Sequence, residues 1–432
     1  MAERRDIRIE VPVLARVEGE GALELDIADG RIAAVRLRIY EPPRFFEKFL
    51  EGRDYREVPD MVARICGICP VAYQMSAVQA LEAIGELDPG DWVRAMRRVM
   101  YCGEWLQSHS LHIHLLAAPD FLGFDSAISM AETYPDEVRR GLRLQQLGNR
   151  IIRLLGARSV HPVGVRVGGF YHAPDPTELE QLKQELIAAR AEAEALVAWT
   201  SAIEFPLDEQ DFTSVALHHP DEYPMNEGTI ITSTGLDIDI ADYQQHFSEI
   251  HVAHSTALHS TLDGKPYLVG PLARLNLNRA QLPDSILNLA AQTGIRFPSR
   301  NMFHSIVARA IEIYYAIEDA IRILTDYTPT SQPYVAFDIN AGTGFGCSEA
   351  PRGILWHRYS IDAQGYVTNA VIIPPTSQNQ ARIEQDLRCA LEKFGLANDD
   401  NALRLHGEKV IRNYDPCISC STHFLKIHVA RT

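Results

Sequence analysis

The chain has 432 residues, 46% hydrophobic and 23% charged, enough apolar material for a large core and an ordinary share of charge. Its formal net charge of −16 argues against a nucleic-acid-binding surface and leaves an acidic exterior on which a basic partner subunit could dock. No apolar run reaches the roughly 18 residues a membrane helix needs, and Met1 to Glu10 lacks the apolar segment of a secretory signal, so the expected location is the cytoplasm.

Met1 to Glu10 runs into a strand. Over residues 7–40, Leu23, Leu25 and Ile27 precede the turn Asp29-Gly30, and Ile32, Val35, Leu37 and Ile39 follow it, which predicts a hairpin. From Pro59 the spacing becomes helical. Helices are expected over 71–86, 91–117 and 137–156, the last with Val138, Leu142, Leu147, Ile151 and Leu154 as its apolar positions. Asp175-Pro176-Thr177 opens another helix reaching about Ile203, with Thr177 and Glu180 at capping-box spacing. Residues 206–270 are rich in Pro, Thr, His and β-branched residues and predict short strands and loops. A long helix over about 302–326 aligns Phe303, Ile306, Ala310, Ile313, Ile317, Ile321 and Leu324. Residues 333–379 predict strand and irregular structure around a Gly-rich turn, and 380–395 a further helix. There is no internal repeat, low-complexity tract or linker. The expectation is an α+β fold, mostly helical, with a large helical bundle body and a smaller β layer, forming one interlocked domain over 1–432.

In a reducing compartment, seven cysteines point to metal or redox chemistry rather than to disulfides. Four of them form two Cys-x-x-Cys pairs, and Cys102, Cys347 and Cys389 read as small buried hydrophobes. The first pair lies in Arg64-Ile65-Cys66-Gly67-Ile68-Cys69-Pro70. Its two-residue gap lets both sulfurs reach one ion, Gly67 permits a close turn, and Pro70 suits the first turn of a helix. A helix N-terminus also favours the thiolate that metals require. The second pair lies in Asp415-Pro416-Cys417-Ile418-Ser419-Cys420, with His423 three residues on. The two pairs are expected to meet at the centre of the fold as one four-thiolate site. Spacing alone leaves structural zinc, an iron–sulfur cluster, independent dithiols and another redox metal open. Nearly the whole chain separates the pairs, which is wrong for a small zinc module.

Four other segments combine charge and glycine without an evident folding need. Arg16-Val17-Glu18-Gly19-Glu20-Gly21 puts a carboxylate at a Gly-flanked strand end, where a solvated turn is the plain alternative. Pro42-Pro43-Arg44-Phe45-Phe46-Glu47 sets an acid beside two aromatics, as a surface helix start would. The stretch from Arg158 through His161 to Gly168-Gly169 mixes His, Arg and Gly in a loop. Glu349-Ala350-Pro351-Arg352-Gly353 follows Gly342, Gly344 and Gly346. Such a loop can project a guanidinium into a cavity or form a salt-bridged turn.

Taken together and in this order, these segments resemble the large subunit of nickel-iron hydrogenases, from Arg16 to His423. RICGIC, EAPRG and DPCISCSTH are the most specific, and the likeness is strongest to the cytosolic, bidirectional NAD(P)-linked and sulfhydrogenase branch. The resemblance implies reversible heterolytic cleavage of H2. It makes Cys66 and Cys417 terminal thiolates on nickel, and Cys69 and Cys420 bridges to an iron carrying carbonyl and cyanide. It makes Glu18 the first proton acceptor, places Arg352 over the metals with Asp415 orienting it, and puts Pro351 and Thr376 around the diatomic ligands. It assigns a magnesium ion to Glu47, the carbonyl of Ile372 (with Val371 competing, because Pro374-Pro375 is doubled) and His423. Many members of the family carry an acid where this chain has Ser108. The family also implies that the tail 424–432 is removed on maturation, which calls for a maturation protease and nickel-insertion chaperones.

The chain has too few cysteines for a cluster relay of its own and lacks a G-x-G-x-x-G fingerprint. Iron–sulfur clusters, flavin and NAD(P) are therefore expected only in partner subunits: a small iron–sulfur subunit and a flavin/NAD(P) reductase module. His109, His112 and His114 read as core or interface residues. The competing functions are a structural zinc protein and a metal-free hydrogenase-related subunit, and the four retained cysteines argue against the second.

Overall fold

The computed structural model describes residues 6–336 and 340–422. The N-terminal alternation becomes a three-stranded antiparallel meander, Ile7–Val11, Gly21–Ala28 and Arg31–Ile39, with Ile9 opposite Leu25 and Leu25 opposite Val35. Asp29 and Gly30 both have positive φ, 52° and 72°, as a type I′ turn requires. Leu23, Leu25, Leu37 and Ile39 are buried in the main core.

The body is helical. Asp91–Leu111 packs against Pro135–Gly156 and Ser305–Thr325, and Pro176–Ser201 lies along Ser305–Thr325. The first two helices meet backbone to backbone. A Cβ on Gly148 would stand 2.5 Å from the Gly103 carbonyl oxygen, so only glycine allows that approach. Asp91–Leu111 continues into a π-helical turn, His112–Ala117, in which His112 and His114 are fully buried with His109 one turn before. The 176–201 helix is not opened by the expected capping box. Asp175 is its cap, accepting from Thr177 N and Glu178 N at 2.8 and 3.1 Å, because Pro176 takes the first helical position and shifts the start upstream of Thr177.

The segment 206–270 does form short strands and loops, including the antiparallel pair Phe247–Ile250 and His259–Leu262. Residues 342–373 depart from expectation. Gly342, Gly344 and Gly346 lie within a nine-residue strand, Gly342–Ala350, not in a turn. That strand pairs with Gly353–Ile361, which pairs with Val367–Ile373. Its glycines let it lie on the helix Pro70–Ile84. A Cβ at Gly344 or Gly346 would sit 2.0 Å from the carbonyl oxygen of Ala80 or Ser76. The turn is Pro351-Arg352, between the first two strands of this sheet. The helices Pro375–Phe394 and Asp400–Asn413 follow, and a last helical turn, Ile418–Ser421, carries Cys420. Among the described residues no helix is long and apolar enough to cross a membrane.

Candidate metal centre

The helix Pro70–Ile84 begins immediately after Cys69, and Cys69 N and Ile68 N donate to Cys66 Sγ at 3.2 and 3.3 Å. Two amide donors on one sulfur favour its thiolate. At the other end of the chain, Asp415 turns the backbone with φ 56° and delivers Cys417 and Cys420 to the same place. Cys66 Sγ lies 3.5 Å from Cys417 Sγ, Cys69 Sγ 3.7 Å from Cys420 Sγ, and Cys417 Sγ 2.8 Å from Cys420 Sγ. All four sulfurs fall within 4.8 Å of one another, are buried, and remain free thiols. Burial opposes thiolate formation throughout the cluster. At Cys66 the hydrogen bonds from Cys417, Cys420 and Cys69 and the charge of Arg352 overcome it, and its thiol falls well below the usual range. Burial and the neighbouring sulfurs push Cys417 up.

Glu18 is stitched to the second cysteine loop. Its carbonyl accepts from Ile418 N at 2.9 Å, and Oε2 accepts from Cys417 Sγ and Ser419 N, both at 3.1 Å. Gly19, with φ 86°, makes this fit possible, since a Cβ there would stand 2.7 Å from Ile418 Cβ. Arg412 holds the loop before Glu18 by donating to Ala15 O at 3.2 Å, while it pairs with Asp120 at 2.6 Å.

Arg352 enters from the Pro351-Arg352 turn. Its Nε donates to Asp415 O at 2.6 Å and Nη2 to Asp415 Oδ1 at 3.0 Å, whereas Nη1 is buried with no hydrogen-bond partner. Burial works against the guanidinium, but Asp415 and the sulfurs of Cys417, Cys69 and Cys66 raise its pKa well above the usual value. Burial likewise opposes the Asp415 carboxylate, and Arg352, His112 and Arg309 hold it below the usual range. Thr376, in the first turn of the helix Pro375–Phe394, accepts from Cys417 N at 3.1 Å. Pro351 is buried, and its carbonyl receives Arg309 Nη1 at 3.5 Å.

Glu47 reaches Ile372 through the backbone amide, Ile372 N to Glu47 Oε1 at 2.8 Å. His423 and the tail 424–432 lie outside the described residues. His161 Nδ1 lies 2.7 Å from Ala63 O, three residues before Cys66. Ser108 is buried, and its Oγ lacks a partner.

Three site residues were not singled out from the sequence. Arg44 donates through Nη2 to Ile65 O at 2.7 Å and also to Ser419 O, so one guanidinium clamps both cysteine loops. Tyr73 follows Cys69 by one helical turn. Burial and the adjacent sulfurs of Cys420, Cys69 and Cys66 push its phenol well up. Glu104 is fully buried and accepts from Val71 N and Ala72 N at 2.6 and 3.1 Å, capping the helix that carries Tyr73. Tyr73 could have been found from its i+4 spacing to Cys69. Arg44 and Glu104 act across long sequence separations, and no local pattern announces them.

Four soft donors, a carboxylate touching one of them and a buried guanidinium with a spare N–H form a donor set that would suit a redox metal with a proton acceptor beside it. The sulfurs alone would also suit zinc. Comparison with known proteins shows the family. The family model for nickel-dependent hydrogenase matches residues 44–139 and 240–423. The chain is 34% identical to the sulfhydrogenase 1 subunit alpha of Pyrococcus furiosus, over 97% of this chain and 98% of that one. It is 26% identical to the NAD-reducing hydrogenase HoxS subunit beta of Cupriavidus necator, over 97% and 95% of the two chains. The crystal structure of an NAD+-reducing NiFe-hydrogenase in the H2-reduced state superposes with a TM-score of 0.88 at 27% identity, covering 96% of this chain and 99% of that one. The chain belongs to the nickel-dependent hydrogenase family. It is a hydrogenase large subunit, and its reaction is the cleavage and formation of H2.

Proposed function

We propose that this chain is the H2-activating subunit of a cytoplasmic multi-subunit complex, passing electrons through a small iron–sulfur subunit to a flavin/NAD(P) reductase module or a similar acceptor. The observation that carries the reading is the meeting of four buried thiols with the Glu18 carboxylate, 3.1 Å from Cys417 Sγ, and the unpartnered Nη1 of Arg352. The donor set fits the family's metals: Cys66, Cys69, Cys417 and Cys420 would hold nickel and an iron bearing carbonyl and cyanide. Those metals would supply the two-electron chemistry.

The protein's own groups handle the proton and the charge. Glu18 Oε2 takes the proton from Cys417 Sγ along their existing contact and passes it outward. Arg352 is held by two bonds to Asp415, so Nη1 is aimed before reaction and stabilises charge as H2 is polarised. Pro351 and Thr376 shape the pocket for the iron's diatomic ligands, the Thr376 hydroxyl keeping a proton to donate while its oxygen accepts Cys417 N–H. Glu47 and the Ile372 carbonyl would offer the oxygen ligands that magnesium favours, with the His423 imidazole as a less usual third ligand. The whole chain acts as one domain around the centre, and removal of 424–432 by a maturation protease, after nickel-insertion chaperones have acted, completes it.

Elemental analysis and infrared spectroscopy test this directly. One nickel and one iron per chain, with stretching bands of metal-bound carbonyl and cyanide, are expected; zinc alone would sink the reading.

A further inference from the structure

Away from the thiols, three side chains that the H2 chemistry does not use converge from separate segments. His254 lies in the loop after the strand Phe247–Ile250, His259 opens the strand His259–Leu262, and Glu384 projects from the helix Pro375–Phe394. One nitrogen from each imidazole and one Glu384 oxygen all lie within 4.8 Å of one another. His254 Nε2 is 2.7 Å from Glu384 Oε1, and the two imidazoles stand edge to face with centroids 5.7 Å apart. His259 is only 3% exposed, and its Nε2 is buried without a hydrogen-bond partner.

The surrounding backbone fixes these residues. Leu37 N donates to Glu384 Oε1 at 2.9 Å, the kind of support that orients a ligating carboxylate. Thr256, midway between the histidines, ties the loop to the N-terminal meander: its N and Oγ1 donate to Ile39 O at 2.8 and 3.1 Å, and Oγ1 also to Glu41 O at 2.9 Å. An ion pair between His254 and Glu384 would explain the pinned loop. It does not explain a second imidazole brought within coordinating distance and left with an unsatisfied buried nitrogen, which native interiors rarely tolerate.

We propose that His254, His259 and Glu384 form a second metal site for a zinc-class divalent cation, with a solvent position completing the coordination. Two imidazoles and one carboxylate with a fourth position open is a zinc donor set. Magnesium and calcium demand more oxygens, and a copper(I) site would call for sulfur. His254 and Glu384 keep side-chain exposures of 23% and 18%, which gives the ion an entrance and room for water. Binding would part the His254–Glu384 contact to roughly 3.3 Å, the edge of a tetrahedron with bonds of about 2.0–2.1 Å. The site joins the 251–258 loop to the helix whose first turn carries Thr376. Its ion would therefore brace that helix about two turns along from Thr376.

The test uses holoenzyme already loaded with nickel and iron, so that the four thiols do not compete. The protein is equilibrated with zinc, dialysed against metal-free buffer and analysed for metals, and zinc affinity is measured against a chelating dye. Wild type should retain one zinc per chain beyond nickel and iron. His259→Gln and Glu384→Gln should bind zinc at least about 100-fold more weakly while nickel, iron and H2 turnover stay unchanged. Zinc should raise the thermal midpoint of wild type alone, and zinc-edge anomalous scattering should peak between the three residues. Absence of stoichiometric zinc in wild type, or equal retention in both variants, overturns the site. If either variant fails to fold, the anomalous map of wild-type crystals decides alone.

Discussion

Replacing Glu18 by Gln separates the carboxylate's proton chemistry from its shape. In the native protein Oε2 accepts from Ser419 N and Cys417 Sγ, both at 3.1 Å, and the Glu18 carbonyl receives Ile418 N at 2.9 Å. The amide keeps an acceptor oxygen for Ser419 N and leaves the backbone contact untouched. The structural loss is the difference between a charged and a neutral acceptor, about 1 kcal/mol. In a chain of this size that lowers the thermal midpoint by only roughly 1–2 °C. The amide cannot take the proton from Cys417 Sγ, and losing a positioned base typically costs about 10²–10⁴ in rate, or roughly 3–5 kcal/mol of barrier. The assay is H2-driven dye reduction on matched preparations of wild type and E18Q, with metal counts and carbonyl and cyanide bands recorded on the same samples. Near-normal metals with turnover down at least about a hundredfold is the expected result. Turnover indistinguishable from wild type would refute the reasoning. So would loss of the metals, which would make Glu18 an assembly residue instead.

Arg44→Met removes the clamp on Ile65 O and Ser419 O and should lower stability by about 2–4 kcal/mol, with reduced nickel occupancy at limiting nickel; a urea midpoint equal to wild type would contradict this. Acid should destabilise the body in a defined window. Burial pushes His109 down to about 4 and His112 and His114 to about 3. Because the folded values lie below the unfolded 6.5, the stability is fully present above about pH 6.5 and is lost progressively as pH falls from there through 4 to 3, roughly 3–5 kcal/mol for each histidine. Glu312, held at about 2 by Arg274 and His109 against its burial, adds a loss between pH 4.5 and 2. Urea midpoints measured from pH 8 to 4 should fall steeply below 6.5, and a flat profile would count against neutral buried imidazoles. Gly346→Ala would press a Cβ to 2.0 Å from Ser76 O and should cost about 3 kcal/mol, read by thermal unfolding; a neutral outcome would mean that strand and helix are not locked.

The N-terminal meander was legible because strict alternation and an Asp-Gly turn leave few other solutions. The long helices were legible from their apolar spacing. Composition could not show whether Gly344 and Gly346 turn the chain or admit a helix backbone, because both uses remove the same Cβ. Thr177 lost the cap to Asp175 because a proline one position earlier decided where the helix begins. The helix Asp400–Asn413 escaped notice, since only Leu403, Val410 and Ile411 of its aliphatic residues are buried. At the site, the two cysteine pairs announced one four-thiolate centre but not its metal, and only the ordered set of distant motifs pointed past zinc to nickel and iron. Arg44 and Arg309 contribute through contacts far apart in sequence, which the pattern of neighbours does not encode.

The 351 positions between Cys66 and Cys417 set a clock for biosynthesis. At about 5–20 residues per second, the first cysteine pair waits roughly 20–70 s on the ribosome before its counterpart exists. During that interval it can offer only half a donor set, and Glu18 has no Ser419 N–H to accept from. Assembly of the proposed four-thiol centre is thus a post-translational event gated by complete translation, and a prematurely terminated chain carries only half of its donor set.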